Sequence, residues 1–213
     1  MQNTSHAVMS QRVEAKDSPD DFPTPPWATR ALLEHVIGDR DSLRQMTCLE
    51  PACGAGHMVK VLKDYFGHVT YYDAYNYRYG PIQDFLVHPQ KTDVHDWIIT
   101  NPPFRLAEEF VLHSLRLARV GVAILARTVF LESVGRYKAI FGRLPPNKFA
   151  QFSERVPMLR GRLERSATTA TGYAWFVWEK ERIGDPPRLM WIPPCRRNLE
   201  RVADYDSVRH YSG

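Results

Sequence analysis

Asn101-Pro102-Pro103-Phe104 follows directly on the apolar run Trp97-Ile98-Ile99-Thr100 and carries more chemical information than any other stretch of these 213 residues. A run with two isoleucines reads as a buried strand, and two successive prolines remove two backbone donors and stop it. The strand then ends in the Asn101 amide, the Pro102 carbonyl and the aromatic face of Phe104. Open α/β sheets hold their ligands at that edge. Two acceptors and a ring suit a flat, polar-edged ligand that bears an amino group. A strand running into a proline-rich turn accounts for the same four residues without a ligand, so the decision rests on their surroundings.

Upstream, Gly54 and Gly56 lie in Pro51-Ala52-Cys53-Gly54-Ala55-Gly56, between a short strand and a helix. Glycines there permit a tight turn and close approach of backbone to a ligand, and the helix aims its N–H groups and positive end at the same place. Asp73, 17 residues beyond Gly56, ends the next strand, where a carboxylate is placed to bind ribose hydroxyls. The third glycine of the dinucleotide fingerprint is missing, which argues against a nicotinamide or flavin. His57, after the second glycine, is expected as an exposed residue at the start of the helix.

The net charge of +4 is unevenly spread: up to residue 134, 13 Lys and Arg stand against 16 Asp and Glu, and beyond it 15 stand against 8. The excess gathers in Arg136, Lys138, Arg143, Lys148, Arg155, Arg160, Arg162 and Arg165, opposed only by Glu154 and Glu164. A basic half beside a near-neutral one suggests a polyanionic partner; a solvated basic face is the plainer account.

The elements that must position these groups alternate. Residues 1–20 are polar and aperiodic, an expected mobile tail, and 21–213 is long enough for one domain. Thr24 is expected to cap a helix with Pro25 at its first position and Gly38 as its stop. Strands are expected over Met46–Glu50, Val69–Asp73, Trp97–Thr100 and Val120–Leu125, with helices after Gly56, after Phe104 and over Glu132–Phe141. Gln151–Val156, Tyr173–Lys180 and Leu189–Ile192 read as late strands without long helices between them, and Trp175 and Trp178 as core. Alternation followed by late strands predicts an α/β fold: a doubly wound, mainly parallel sheet with an antiparallel C-terminal edge. No run approaches the ~20 apolar residues of a membrane span. Three cysteines, Cys48, Cys53 and Cys195, without a C-x-x-C pair indicate neither a disulfide framework nor a zinc site, and a reducing, cytoplasmic setting is expected.

Leu49-Glu50-Pro51-Ala52-Cys53-Gly54-Ala55-Gly56 resembles the cofactor loop of class I S-adenosylmethionine-dependent methyltransferases. Asn101-Pro102-Pro103-Phe104 resembles the catalytic motif of their amino-methyltransferase branch, above all the DNA adenine-N6 enzymes of the short type found in phages and mobile elements. Asp21-Phe22-Pro23-Thr24-Pro25-Pro26-Trp27 is similar to the segment that helps hold the methionine carboxylate, and Asp84-Phe85-Leu86 to the acidic position at the cofactor's adenine. The resemblance implies a Rossmann-like fold with S-adenosylmethionine held by Thr24, Pro25, Glu50, Pro51, Cys53, Gly54, Gly56, Asp73, Asp84 and Asn101. Catalysis would fall to Asn101, Pro102, Pro103 and Phe104, with no metal. The nucleic-acid contacts are expected from Arg143, Lys148, Arg155, Arg160, Arg162 and Arg165. The stretch between Asn101 and Tyr173 is too short for a separate target-recognition domain. RNA amino-methyltransferases (guanine N2 or adenine N6) and protein glutamine methyltransferases share the amine chemistry and stay open as alternatives, as does a non-catalytic relative, against which the intact Gly54, Gly56, Asp73, Asn101 and Phe104 argue.

Overall fold

The computed structural model describes residues 20–87 and 94–205. The expected tail, residues 1–20, lies outside them except for Asp20.

Successive residues along each strand point to opposite faces of the sheet, and here both faces are apolar. Cys48, Trp97, Ile99, Ala123, Leu125, Trp175 and Val177 join one buried cluster. Their neighbours Leu49, Ile98, Val122, Ile124, Phe176 and Trp178 join a second. Strands hydrophobic on both sides must be covered on both sides, which is why helices pack above and below. Helices α1 (Pro26–Leu32, continued as a wide turn to Ile37) and α3 (His57–Tyr65) cover the first face, and α4 (Ala107–Leu117) the second. Between them come α2 (Arg40–Leu43) and the later α5 (Val134–Arg136, widening into Tyr137–Phe141) and α6 (Arg196–Leu199).

The seven strands are β1 (Thr47–Glu50), β2 (His68–Tyr71), β3 (His95–Thr100), β4 (Ala118–Arg127), β5 (Lys148–Phe152), β6 (Tyr173–Glu179) and β7 (Arg188–Ile192). They lie in the order β2-β1-β3-β4-β6-β5-β7. All pairings are parallel except those of β6, which runs against both β4 and β5. The expected mainly parallel, doubly wound sheet with antiparallel pairing among its late strands is therefore the one found. The reversed strand sits inside that half, with β5 and β7 beyond it.

Two local expectations are corrected. The first helix begins at Pro26, with Pro25 extended (ψ 131°) in the cap position and no side-chain cap. A residue before proline is driven out of the helical region, so Pro26 delays the helix and leaves Thr24 outside capping reach. The helix expected over Glu132–Phe141 starts at Val134, capped by the Ser133 hydroxyl.

Candidate active site

β1 leads through α3 to β2 on one side, whereas β3 lies on the other side of β1. The carboxyl ends of β1 and β3 thus frame the point where the winding reverses, the crevice in which open α/β sheets bind ligands. Glu50 and Thr100, the last residues of these strands, meet there: the Thr100 hydroxyl donates to Glu50 Oε1 at 2.6 Å. An open cleft of about 570 Å3 extends from this point.

The glycine turn forms one wall. Gly54 and Gly56 hold φ of +49° and +82°, values that L side chains disfavour. A Cβ on Gly56 would stand 2.2 Å from the Tyr79 ring, so space as well as backbone demands glycine. Asp73 clasps the turn: its carboxylate accepts from the Gly54 and Tyr75 N–H groups, both at 2.9 Å. Four carboxyl groups, from Asp20, Asp21, Glu50 and Asp73, line the cleft. Burial raises the Asp73 carboxyl above its ordinary value. Burial, then the charge of Asp73, brings Asp21 to about 6 against the pull of Arg160. Glu50 is fully buried and is pushed up to about 8 by loss of solvent, although Thr100 and the Ala52 N–H favour its anion. Its second oxygen has no partner, and neither has the buried hydroxyl of Thr24, which also lines the cleft. Orphan polar atoms of this kind cost free energy until a ligand satisfies them. A cleft rich in carboxyl groups favours a ligand that carries positive charge.

The proline motif closes the other end. Asn101 Nδ2 donates to the Phe22 carbonyl at 2.8 Å and touches Met158 Sδ at 3.7 Å. A carbonyl only accepts, so the amide nitrogen must face Phe22. Its oxygen is left buried without a partner. The Phe104 N–H donates to Asp20 at 2.6 Å. Around the Phe104 ring stand Phe22 at 5.0 Å, Tyr173 at 6.2 Å and the Arg127 guanidinium at 4.1 Å from the centroid.

Thr24, Glu50, Cys53, Gly54, Asp73, Asn101 and Pro103 share the cleft wall. Pro25, Pro51, Gly56, Pro102 and Phe104 stand behind or beside it, each next in sequence to a lining residue. Asp84 does not join them: it is exposed, and its carboxylate accepts from the Leu86 N–H to shape a turn. His57 corrects the expectation of an exposed side chain. It does start α3, but only 8% of it is exposed. Burial, then Lys60, lowers its pKa to about 4, so it is neutral at pH 7.

The basic segment divides. Arg160 adjoins the cleft, because Gly161 donates to the Asp21 carbonyl and Arg160 acts on the Asp21 carboxyl. Arg155 lies beside Gly172, whose carbonyl accepts from Thr128 at the end of β4. Arg162 and Arg165 are exposed and pair with Glu164 and Glu200. Lys148 must be withdrawn from the nucleic-acid set. It opens β5 opposite Val177, and its ammonium is held by Glu179 at 2.6 Å and by the Val36 carbonyl. Arg143 is withdrawn too, since its neighbour Leu144 takes a hydrogen bond from Trp178, which is paired with Val122 near the start of β4. Both therefore sit toward the opposite edge of the sheet. Sequence reasoning overlooked Asp20 and Met158, which carry no pattern, and it marked Asp21 only as a member of a longer segment.

No protein-family model matches the sequence, and no curated protein matches it. Solved structures do match in three dimensions. A presumed RNA methyltransferase from Pyrococcus horikoshii superposes with a TM-score of 0.55 at 14% identity, over 79% of this chain and 92% of that one. The modification subunit of a presumed type I restriction enzyme from Vibrio vulnificus YJ016 gives 0.52 at 17% identity, over 78% of this chain and 45% of that one. Magnesium protoporphyrin IX methyltransferase from Synechocystis PCC 6803, solved with bound S-adenosylmethionine, gives 0.50 at 14%, over 72% and 78%. The fold, a mainly parallel seven-stranded sheet flanked by helices, is the one these methyltransferases share. This chain spans less than half of the Vibrio subunit's length. Within the methyltransferase fold, the cleft described above occupies the switch point of the sheet, and the proline motif ends the strand beside it.

Proposed function

We propose that the chain transfers a methyl group from S-adenosylmethionine to the exocyclic N6 amine of adenine in DNA. The observation that carries the reading is Asn101: a half-buried side chain whose nitrogen is tied to the Phe22 carbonyl and whose buried oxygen waits without a partner just beyond β3.

The residues of the cleft fit the cofactor. Its sulfonium and ammonium are cations and suit a wall lined by Asp20, Asp21, Glu50 and Asp73. The unpartnered Thr24 hydroxyl is a donor for its carboxylate, and Asp73 an acceptor for its ribose. When bound, the cofactor supplies an electrophilic methyl group.

The amine is what needs help. The N6 lone pair of adenine is delocalised into the ring and is a poor nucleophile. Acceptance of its two N–H bonds by Asn101 Oδ1 and the Pro102 carbonyl draws the nitrogen toward tetrahedral geometry and frees the lone pair. Phe104 offers a face on which the base stacks, so positioning supplies most of the rate. The proton leaves after transfer, to water, and no strong base is required. In a duplex the base is first flipped out, at a cost of a few kcal/mol. Arg155 and Arg160, on the rim that bears the cleft, and Arg162, close to them in sequence, would hold the flanking phosphates.

The likeness to a restriction-modification subunit supports a DNA substrate. The test is transfer of labelled methyl to DNA, RNA and protein in parallel, followed by nucleoside and amino-acid analysis. Label in N6-methyladenine from DNA is the expected result; label confined to RNA or to glutamine would replace this reading.

A further inference from the structure

We propose that Arg127 holds the stacking place of the target base on Phe104 and leaves it for a backbone phosphate when a nucleotide enters. The inference rests on the adenine reading and deepens it.

A base that stacks on Phe104 needs a clear ring face, and the Arg127 guanidinium covers one at 4.1 Å. A guanidinium is planar and stacks on aromatic rings much as a base does. Of the groups around the ring, Arg127 is the one that can yield. Phe22 is packed on the main core cluster, and its carbonyl is engaged by Asn101. Tyr173 is 3% exposed and lies within β6. Arg127 ends β4, is half-buried, and rests on the ring near the Tyr173 hydroxyl, on which its charge acts.

A second observation marks the position as provisional. Arg127 Nε is buried without a hydrogen-bond partner, as is Asn101 Oδ1 across the motif. An orphan donor on the residue that covers the Phe104 ring and an orphan acceptor at the head of the same motif are both left for something outside the protein. The acceptor fits the amine of the base. The donor belongs to a cation at the carboxyl edge of the sheet, on the same rim as Arg155 and Arg160. A phosphate next to the flipped nucleotide gives it a bidentate partner, a stronger one than the ring it leaves.

Removing the side chain therefore has opposite effects on charged and uncharged ligands. Fluorescence quenching of 2-aminopurine deoxyriboside reports stacking of an uncharged adenine isostere, with S-adenosylhomocysteine saturating the cofactor cleft. Arg127→Ala should tighten this nucleoside by about 3- to 10-fold, because one competing cation–π interaction is removed. It should weaken a short single-stranded oligodeoxynucleotide bearing one 2-aminopurine, with a log K against log salt slope shallower by about 0.7, one phosphate. Arg127→Lys keeps the charge but not the planar stack; it should tighten the nucleoside while retaining the salt slope, and it carries the test if the alanine variant does not fold. Unchanged S-adenosylhomocysteine affinity in either variant serves as the check on folding. Should the wild type quench both probes and the variants bind the nucleoside no more tightly, Arg127 is a brace and the inference is wrong. Should the wild type quench neither probe, the adenine reading fails and takes this inference with it.

Discussion

With its nitrogen engaged by Phe22, the Asn101 side chain has one oxygen left, and in the proposed reaction that oxygen acts on the target amine. Asn101→Ala should therefore cut kcat and kcat/KM together, by about 10²-fold or more, while cofactor affinity and Tm stay close to wild type. Labelled-methyl transfer within a few-fold of wild type would remove Asn101 from the chemistry. Asp73→Ala should weaken S-adenosylmethionine by about 1 to 3 kcal/mol, read by calorimetry in the presence of a chelator, because the Gly54 turn loses its clasp together with the ribose acceptor. Glu50 makes pH a probe of the site. Its carboxyl titrates near 8 in the folded protein, against the ordinary 4.5 in the unfolded chain. Between those values the folded state keeps a proton that the unfolded state has lost, so stability declines as pH rises through the window and levels off above 8. The slope is about 1.4 kcal/mol per pH unit at most. Glu50→Gln should flatten it and raise Tm at pH 9. A cationic cofactor favours the carboxylate, so binding near pH 7 should release a proton, detected as a buffer-dependent enthalpy that the same variant loses. The amide beyond β3 and the acid after β2 were legible as residue types at ligand-binding strand ends, and Glu50 through the resemblance of its loop. The orphan oxygens were not, because a partner's absence is a property of three-dimensional surroundings.

Elements set the precision with which those residues meet. The turn between β1 and α3 depends on Gly56, where φ is +82° and the Tyr79 ring occupies the space of a side chain. Gly56→Ala should lower stability by about 1 to 2 kcal/mol from backbone strain alone, and weaken the cofactor as the turn shifts. Tyr79→Ala in the same background should recover the part due to the clash and leave the part due to φ. Equal Tm values for the single and double variants would show that Tyr79 has no share in the effect. Most strands were readable because their apolar runs are continuous, whereas β5 runs over Lys148–Phe152 and not over the expected Gln151–Val156; the turn was readable because two glycines interrupt it. The start of the first helix was misplaced by one residue because Pro25 and Pro26 are each acceptable at the first helical position, and only their order forces Pro25 to stay extended.

Across the whole molecule, charge is sorted by the winding of the chain. Arg155 and Arg160 come to the edge that bears the cleft, whereas Arg143 and Lys148, in the same basic run, lie toward the other. If the cleft edge holds a polyanion, replacing Arg155, Arg160 and Arg162 with Ala should flatten the dependence of log K on log salt for duplex DNA by up to about 0.9 for each phosphate no longer neutralised. Arg143→Ala should leave the slope unchanged. The weakening should be similar for two unrelated duplexes, since phosphate contacts position and do not read sequence. Equal slopes for the triple variant and the wild type would return the segment to a solvated face.

Periodicity and local chemistry are written into neighbouring residues, so the parallel sheet, the glycine turn and the proline motif could be read before any coordinates. Charge runs carry no such information, because a run of basic residues spans both edges of a sheet as soon as a strand such as β5 passes through it. His57 shows the same limit in one residue: its position at the head of α3 follows from Gly56, whereas its burial depends on the distant segments that close over it. Folding also brought Asp20, Phe22 and Met158 against Asn101 and Phe104. Contacts between residues 57 to 84 positions apart leave no local pattern, and it is these contacts that decide which polar atoms of the site are still unsatisfied and therefore ready to bind.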